Sequence, residues 1–316
     1  MAQFEIEKFI QKEIQKFLPA HLISEAYQYA MFPAGKLFRP NLALAIYRDL
    51  NPEQYEQAIN LINKDILYFA SALECHHSYS LVHDDLPSMD NDDFRRGKES
   101  THKKFGEWKA ILIGDGLLNI SYEFLTKIKN SDPHRHLLLM KIFARSMGPK
   151  GLIHGQTLDL SHEMTYSFAN TLLTHKFKTG RLIQMASIGA CLLATKKDIK
   201  REKLIWKFSE NIGILFQLLD DLSELNDAKL SAHELDVNPW LKFPEETYQE
   251  TLKRLESYLN LYSKLKLTYT HEMLKNYFKK MNDGLKVHQS TVATHLQKNV
   301  QLIPVMNLLD RIDSTH

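Results

Sequence analysis

Five aspartates fall within ten residues of the segment Ser80-Leu-Val-His-Asp84-Asp85-Leu-Pro87-Ser-Met-Asp90-Asn-Asp92-Asp93, and Arg95-Arg96-Gly97 follows at once. Carboxylates at that density repel one another and lose hydration unless a cation compensates them. An all-oxygen ligand set suits magnesium, which takes a few carboxylates together with substrate phosphate oxygens. Taken alone, the segment could also be an exposed acidic turn or a helix cap. A second cluster, Gln217-Leu-Leu-Asp220-Asp221-Leu-Ser-Glu224, follows the apolar run 212–216. On a helix Asp220 and Glu224 share one face, with Gln217 one turn earlier. A solvated polar stripe would explain this second motif equally well by itself. Both clusters together point to facing helices that share a metal group.

Basic side chains supply the other half of an anion site. Gly35-Lys36-Leu-Phe-Arg39-Pro40 carries a Lys and an Arg on one short segment, Arg95 and Arg96 adjoin the first acidic cluster, and Lys176, Lys178, Thr179 and Arg181 lie close together later. Arg forks match phosphate oxygens and Lys provides a point charge, so acids with magnesium and bases without it can hold opposite sides of one anion. Any one of these pairs alone is ordinary solvated surface; their occurrence beside the acids changes the reading.

The elements that must position these groups read as helices. Apolar residues recur at spacings of three and four, as in Ile6, Ile10, Ile14 and Phe17, or Leu204, Phe208, Ile212, Leu215 and Leu219. Almost nowhere do apolar and polar residues alternate, so strands are not expected. Prolines at 19, 33, 40, 87, 133, 149, 239 and 244 fall between or at the edges of the periodic segments. Roughly ten helices are predicted, and Pro87 is expected to end the buried helix that delivers Asp84 and Asp85. With no fixed repeat and no linker of low complexity, residues 1–316 read as one all-α domain, a single large helical bundle.

Bulk composition removes several classes of function. Forty basic against 38 acidic side chains leave a formal net charge of +2, which excludes a strong field for nucleic acid or anionic lipid. The longest uncharged apolar stretch, 182–195, is too short to span a bilayer and contains Gln184 and Ser187, and the N-terminal MAQFEIEKF lacks a basic region before an apolar core. A cytoplasmic protein without membrane insertion is expected. Cys75 and Cys191 lack metal-site spacing and read as buried thiols.

Across nearly its whole length and in the same order, the chain resembles the trans-isoprenyl diphosphate synthase, or polyprenyl synthetase, family, and within it the bacterial farnesyl diphosphate synthases. The resemblance is carried by Gly35-Lys36-x-x-Arg39-Pro40, Glu74-Cys-His-His77, His83-Asp84-Asp85-Leu-Pro-x-Met-Asp90 through Arg95-Arg96-Gly97-Lys98, Phe105-Gly-Glu, Gly114-Asp-Gly-Leu-Leu, Gly155-Gln156-x-x-Asp159, Lys178-Thr179-Gly180 and Phe216-Gln217-x-x-Asp220-Asp221. It implies an isoprenoid-synthase bundle around a central active-site cavity, acting as a homodimer. It implies that Asp84 and Asp90, with Asp85 nearby, bind magnesium on an allylic diphosphate, that Asp220 and Glu224 hold a further ion, and that about three ions are present with substrate bound. Asp84, Asp85, Asp90, Lys178 and Asp220 would then be catalytic. Gly35, Lys36, Arg39, His77 and Arg96 would bind isopentenyl diphosphate, and Arg95, Lys178, Thr179 and Gln217 would face the allylic partner. Tyr79 and Ser80 would set product length, because a tail growing from Asp84 runs beside the preceding helix and, at about 1.5 Å per residue, Tyr79 lies roughly 7 to 8 Å along it.

The implied reaction ionises an allylic carbon–oxygen bond, adds the isopentenyl double bond to the cation and loses a proton, with farnesyl diphosphate as the expected product. Geranyl or geranylgeranyl diphosphate, a terpene cyclase, and a catalytically impaired partner subunit of the same fold are the alternatives. Two departures from the family pattern bear on them. Glu224 stands where the family usually has aspartate, and the segment 225–243 has no glycine where a Gly-Lys loop is usual, leaving Lys229 and Lys242 as substitutes for its lysine.

Overall fold

The computed structural model describes residues 3–60, 64–129, 132–296 and 300–315. It is helical almost throughout and divides into two compact units, one of Met1–Met140 with Gly189–Lys196, the other of Lys141–Ile188 with Lys197–His316. No helix among the described residues is long and apolar enough to cross a membrane.

The first unit contains α1 (Gln3–Ile14), α2 (Ile23–Met31), α3 (Phe38–Leu50), α4 (Pro52–Ile59), α5 (Asp65–Asp84), α6 (Thr101–Phe105) and α7 (Glu107–Thr126). α5 is its axis and packs on α7 and α3. Ile66, Leu67, Phe69, Ala70, Ala72, Leu73, Cys75, Tyr79 and Val82 are buried all round its circumference. A helix apolar on every side must lie inside the protein, and each large apolar side chain so buried contributes about 1.5–3 kcal/mol. Cys75 and Cys191 are buried free thiols, as the sequence predicts.

α5 stops at Asp84, three residues before Pro87. The residue ahead of a proline is pushed out of the helical region, and the chain curls instead: Leu86 N–H donates to His83 O, Asp90 N–H to Asp84 O at 2.8 Å, and Asn91 N–H to Leu86 O. A two-residue hairpin follows, β1 (Phe94–Arg95) against β2 (Lys98–Glu99). This small sheet is absent from the sequence expectation. Its turn residues Arg96 and Gly97 both have positive φ, the geometry that matches the twist of a tight hairpin.

The second unit contains α9 (Leu152–Leu160), α10 (Phe168–His175), the long α12 (Ile199–Glu224), α13 (Ala232–Val237), α14 (Pro239–Lys242), α15 (Pro244–Leu265), α16 (Thr268–Val287), α17 (Gln289–His295) and α18 (Ile303–Ser314). The division between the units falls within α8 (Pro133–Met147) and α11 (Arg181–Leu192). Between α10 and α11, residues Lys176–Gly180 form a π-helical turn. α12 packs on α15 and on this turn, where Gly180 and Gly213 bring two backbones together: a Cβ on Gly213 would lie 2.8 Å from Gly180 Cα.

Among the described residues, eighteen α-helical segments thus replace the roughly ten expected. Several are separated from their neighbours by a proline at the first turn, at Pro52, Pro239 and Pro244, or divided at Gly106, where φ is +91°. The apolar periodicity runs through such breaks and so cannot report them.

Candidate functional site

In the first unit Asp84 ends α5 half-buried, and Asp90 is exposed on the turn beyond it. Asp85 behaves differently. It is 2% exposed and accepts a hydrogen bond from Arg95 Nε at 2.9 Å and another from Arg95 Nη2. Arg95 Nη2 also reaches Asp92 Oδ2 at 2.8 Å. Burial raises the Asp85 pKa, and the bonds and charge of Arg95 oppose that. Asp85 therefore locks the acidic turn onto the hairpin. His83 Nε2 lies 3.1 Å from Ile111 O, against α7 at Gly114, where a Cβ would fall 2.0 Å from His83 Nε2. Gly114 is thus required for that approach. Ser80 Oγ donates to His77 O at 2.9 Å, and Tyr79 is buried, edge-on to His76 and His83 with centroids at 4.5 and 5.7 Å.

A basic pocket lies in the same unit. Glu74 and His77 share one face of α5. The His77 pKa is held well below its ordinary value, by burial first and then by the charges of Arg39, Arg96 and Arg95. Gly35 lies against the Arg96 guanidinium, since a Cβ there would be 3.0 Å from Arg96 Cζ, Nε and Nη2. Four sequence-predicted residues, Gly35, Arg39, His77 and Arg96, are thereby gathered. Lys36 is exposed beside them in sequence, and its carbonyl accepts from Asn41 Nδ2 at 3.4 Å.

In the second unit a chain of hydrogen bonds joins the π-helical turn to α12. Thr179 Oγ1 donates to Gln217 Oε1 at 2.8 Å, and Gln217 Nε2 donates to Asp221 Oδ1 at 2.7 Å. His175 Nε2 stands 3.4 Å from the other oxygen, Asp221 Oδ2. Asn238 Nδ2 donates to Asp221 O at 2.8 Å and to Glu224 Oε2 at 3.2 Å. Lys178 Nζ bonds Asp159 Oδ2. Gln217 is thus the partner of Asp221, four residues on, while Asp220 and Glu224 occupy the neighbouring stripe. Burial and the charge of Glu224 push the Asp221 carboxyl well above the usual range. Burial also lowers His175 to about 4, so it is a neutral imidazole at physiological pH.

Sequence reasoning gave no role to Glu74, Asp159, His175 or Asn238. The first two lie within quoted motifs, which was the available signal; His175 adjoins Lys176, and nothing in the segment 225–243 singled out Asn238. That segment carries α13 and α14 and is anchored by Trp240, whose Nε1 donates to Leu218 O at 2.7 Å. Lys242 is paired with Asp236 at 3.0 Å, and Lys229 is exposed.

Among the described residues no three His, Cys, Asp or Glu side chains converge closely enough to hold a metal ion unaided. The donor chemistry nonetheless fits magnesium, which completes its shell with water and substrate oxygens. Burial, Asp220 and Glu234 together raise Glu224 to about 7 from 4.5, a like-charge strain that a cation would relieve. Because the folded pKa is raised, metal-free folded protein holds a proton that unfolded chain has already released between these values, so the stability from Glu224 falls as pH rises from 4.5 towards 7. The melting temperature of metal-free wild type should drop relative to Glu224→Gln over that interval, and magnesium at pH 8 should recover it for wild type. A difference that does not change with pH or magnesium would exclude a strained Glu224.

The polyprenyl synthetase model matches residues 20–232. The farnesyl diphosphate synthase of Geobacillus stearothermophilus is 34% identical over 243 residues, 72% of this chain and 78% of that protein. The one from Micrococcus luteus is 34% identical over 86% of this chain and 89% of its own length. Among solved structures, geranyltranstransferase from Thermotoga maritima has a TM-score of 0.72 at 27% identity, covering 89% of this chain and 97% of that one. Geranyltransferase from Helicobacter pylori, complexed with magnesium and isoprenyl diphosphate, has a TM-score of 0.69 at 27% identity, covering 87% of this chain and 98% of the other. A match over residues 20–232 and relatives at this identity over most of both chains place the protein in the polyprenyl synthetase family.

Proposed function

We propose that this family member, a trans-prenyltransferase, condenses isopentenyl diphosphate with dimethylallyl and then geranyl diphosphate and releases farnesyl diphosphate. The observation that carries this reading is the placing of bases in the first unit. Arg95 Nε and Nη2 hold Asp85 and Asp92 beside the acidic turn, whereas Arg39, His77 and Arg96 gather at Gly35. One diphosphate that arrives with metal and one that arrives without it call for two such sites.

Asp84 and Asp90 would hold magnesium in the first unit, and Asp220 and Glu224 would hold it in the second; magnesium so held would supply positive charge to a diphosphate leaving group. Lys178, positioned by Asp159, and Thr179, positioned by Gln217, bind and orient the allylic diphosphate. Gly35, Lys36, Arg39, His77 and Arg96 bind the isopentenyl unit. Fixed charges of this kind stabilise a leaving anion without reorganising during the reaction. No side chain is assigned as the base, because the released diphosphate can accept the proton. The protein acts as a cytoplasmic homodimer. The exposed Trp108, Ile111 and Leu112 on α7 support self-association, and light scattering at micromolar concentration tests it, a monomeric active protein excluding it.

Incubation with magnesium, isopentenyl diphosphate and dimethylallyl diphosphate, followed by chromatography, tests the activity. A fifteen-carbon product is expected, and no condensation at all would rule the reading out. A second reading, geranylgeranyl diphosphate as product, draws on the Cyanophora paradoxa geranylgeranyl diphosphate synthase, 34% identical over 79% of this chain. Tyr79 bears on the choice, since its large ring is buried on α5 between His76 and His83. Tyr79→Ala should shift the product to twenty carbons or more. An unchanged product spectrum from a folded, active variant would put the chain-length floor elsewhere.

A further inference from the structure

We infer that Glu74 is a positioning residue that sets the Arg96 guanidinium for the diphosphate of the non-allylic substrate without touching that substrate itself. The inference rests on the assignment of Arg96 to isopentenyl diphosphate made above.

Glu74 sits midway along the largely buried α5 and is 1% exposed. A lone carboxylate there is costly, and the group needs a compensating cation. Arg96 supplies it from the hairpin turn, with Nη2 at 3.9 Å from Glu74 Oε1. That distance is too long for a hydrogen bond, and Oε1 accepts none. The pair is therefore an electrostatic bias that leaves the guanidinium donors uncommitted. Its neighbour Arg95 differs, with Nε and Nη2 committed to hydrogen bonds with Asp85 and Asp92. Two adjacent arginines are thus held in different ways, one as a structural clamp and the other oriented but available.

Independent features fix where Arg96 stands. Its own positive φ and that of Gly97 turn the hairpin back on itself. Lys98 donates to Tyr29 O and, at 2.8 Å, to Phe32 O, tying the hairpin to the segment that leads to Gly35. Ala34 N–H in turn donates to Glu7 Oε1 at 2.7 Å, which holds that segment to α1. Gly35 then allows backbone to meet the guanidinium where any Cβ would sit 3.0 Å from three of its atoms. The backbone thereby sets the position of the fork, and Glu74 is left to set its orientation. Arg39 and Arg96 both pull the Glu74 pKa down against the larger effect of burial, so the carboxylate also tempers repulsion between two cations that must share one anion.

Glutamine preserves the shape of Glu74 and removes its charge. Steady-state kinetics of wild type, Glu74→Gln, Arg96→Gln and the double variant decide the matter. Glu74→Gln should raise the Michaelis constant for isopentenyl diphosphate by about tenfold, the usual scale for losing a carboxylate that orients a binding group. The constant for the allylic diphosphate should not move, and kcat should stay within about threefold. Arg96→Gln should have the larger effect, and the double variant should be no worse than Arg96→Gln alone, because Glu74 acts through Arg96. Glu74→Asp should recover part of the loss, and it replaces Glu74→Gln in the cycle if thermal unfolding shows the latter to be unfolded. Additive effects in the double variant, equal rises for both substrates, or no rise at all while Arg96→Gln does raise the constant, would each overturn the positioning role. An Arg96→Gln enzyme with unchanged affinity for isopentenyl diphosphate would overturn the substrate assignment as well.

Discussion

Asp84→Ala should lower kcat by about two to four orders of magnitude while leaving helix content and melting temperature close to wild type. Loss of one fixed group that stabilises transition-state charge costs about 10²–10³ in rate, and loss of a ligand to the metal that neutralises a leaving diphosphate adds to it. The fold should tolerate the change because Asp84 is the last residue of α5, half-buried, and the carbonyl that receives Asp90 N–H survives the substitution. Both kcat and kcat/KM should fall together, as when an interaction made in the transition state is removed. Initial rates at saturating substrates, beside circular dichroism and a melting curve, measure this. Activity within threefold of wild type in a folded protein would remove Asp84 from the catalytic group. Asp85→Ala offers the contrast. Asp85 is buried under Arg95, so its loss leaves a half-buried guanidinium hydrogen-bonded to Asp92 without its buried partner and should lower stability as well as rate.

That difference between neighbours was only partly legible in Asp84-Asp85, where the resemblance implied a magnesium ligand at Asp84 and a catalytic carboxylate nearby at Asp85, but not a clamp on Arg95. Direction along α5 settles it: one side chain emerges at the helix end and the other turns into the hairpin. What the sequence did make legible is whatever depends on local spacing. The burial of α5 and the shared face of Asp220 and Glu224 follow from patterns of three and four, whereas the grouping of Gly35, Arg39, His77 and Arg96, which come from three separate motifs, was implied only by the family resemblance. What stayed hidden depends on partners far away in the chain. Asn238 matters because it reaches back 17 residues to Asp221 O, and Glu74 because a turn residue 22 positions on supplies its counter-charge. The π-helical turn Lys176–Gly180 was invisible for another reason: the apolar pattern from α10 into α11 continues through it, and only the extra backbone residue per turn distinguishes it.

Gly155→Ala should be among the most damaging single-methyl additions in the second unit, destabilising it by about 3 kcal/mol or more and removing most activity. Gly155 lies on α9, and a Cβ there would meet Lys178 N at 2.1 Å and Lys178 Cα and Phe177 C at 2.6 Å. These are backbone atoms, so no rotamer change relieves the overlap, and α9 must move away from the π-helical turn. Asp159 rides on α9 and holds Lys178, while the next residue, Thr179, holds Gln217. Any such movement therefore shifts the two side chains proposed to orient the allylic diphosphate, and a displacement near 1 Å can cost about 10²-fold in rate. At the size of this chain the stability loss corresponds to a fall in melting temperature of about 5 °C. Gly284→Ala is the matched control: its Cβ would meet only Asn226 Nδ2 at 3.4 Å, and within α16 alanine is favoured over glycine by about 1 kcal/mol. Denaturant midpoints and kcat, measured well below the melting temperature, separate the possible results. Wild-type stability in Gly155→Ala would mean the contact is dispensable, whereas lost stability with unchanged kcat would detach the placement of Lys178 and Thr179 from the spacing of α9 and the turn.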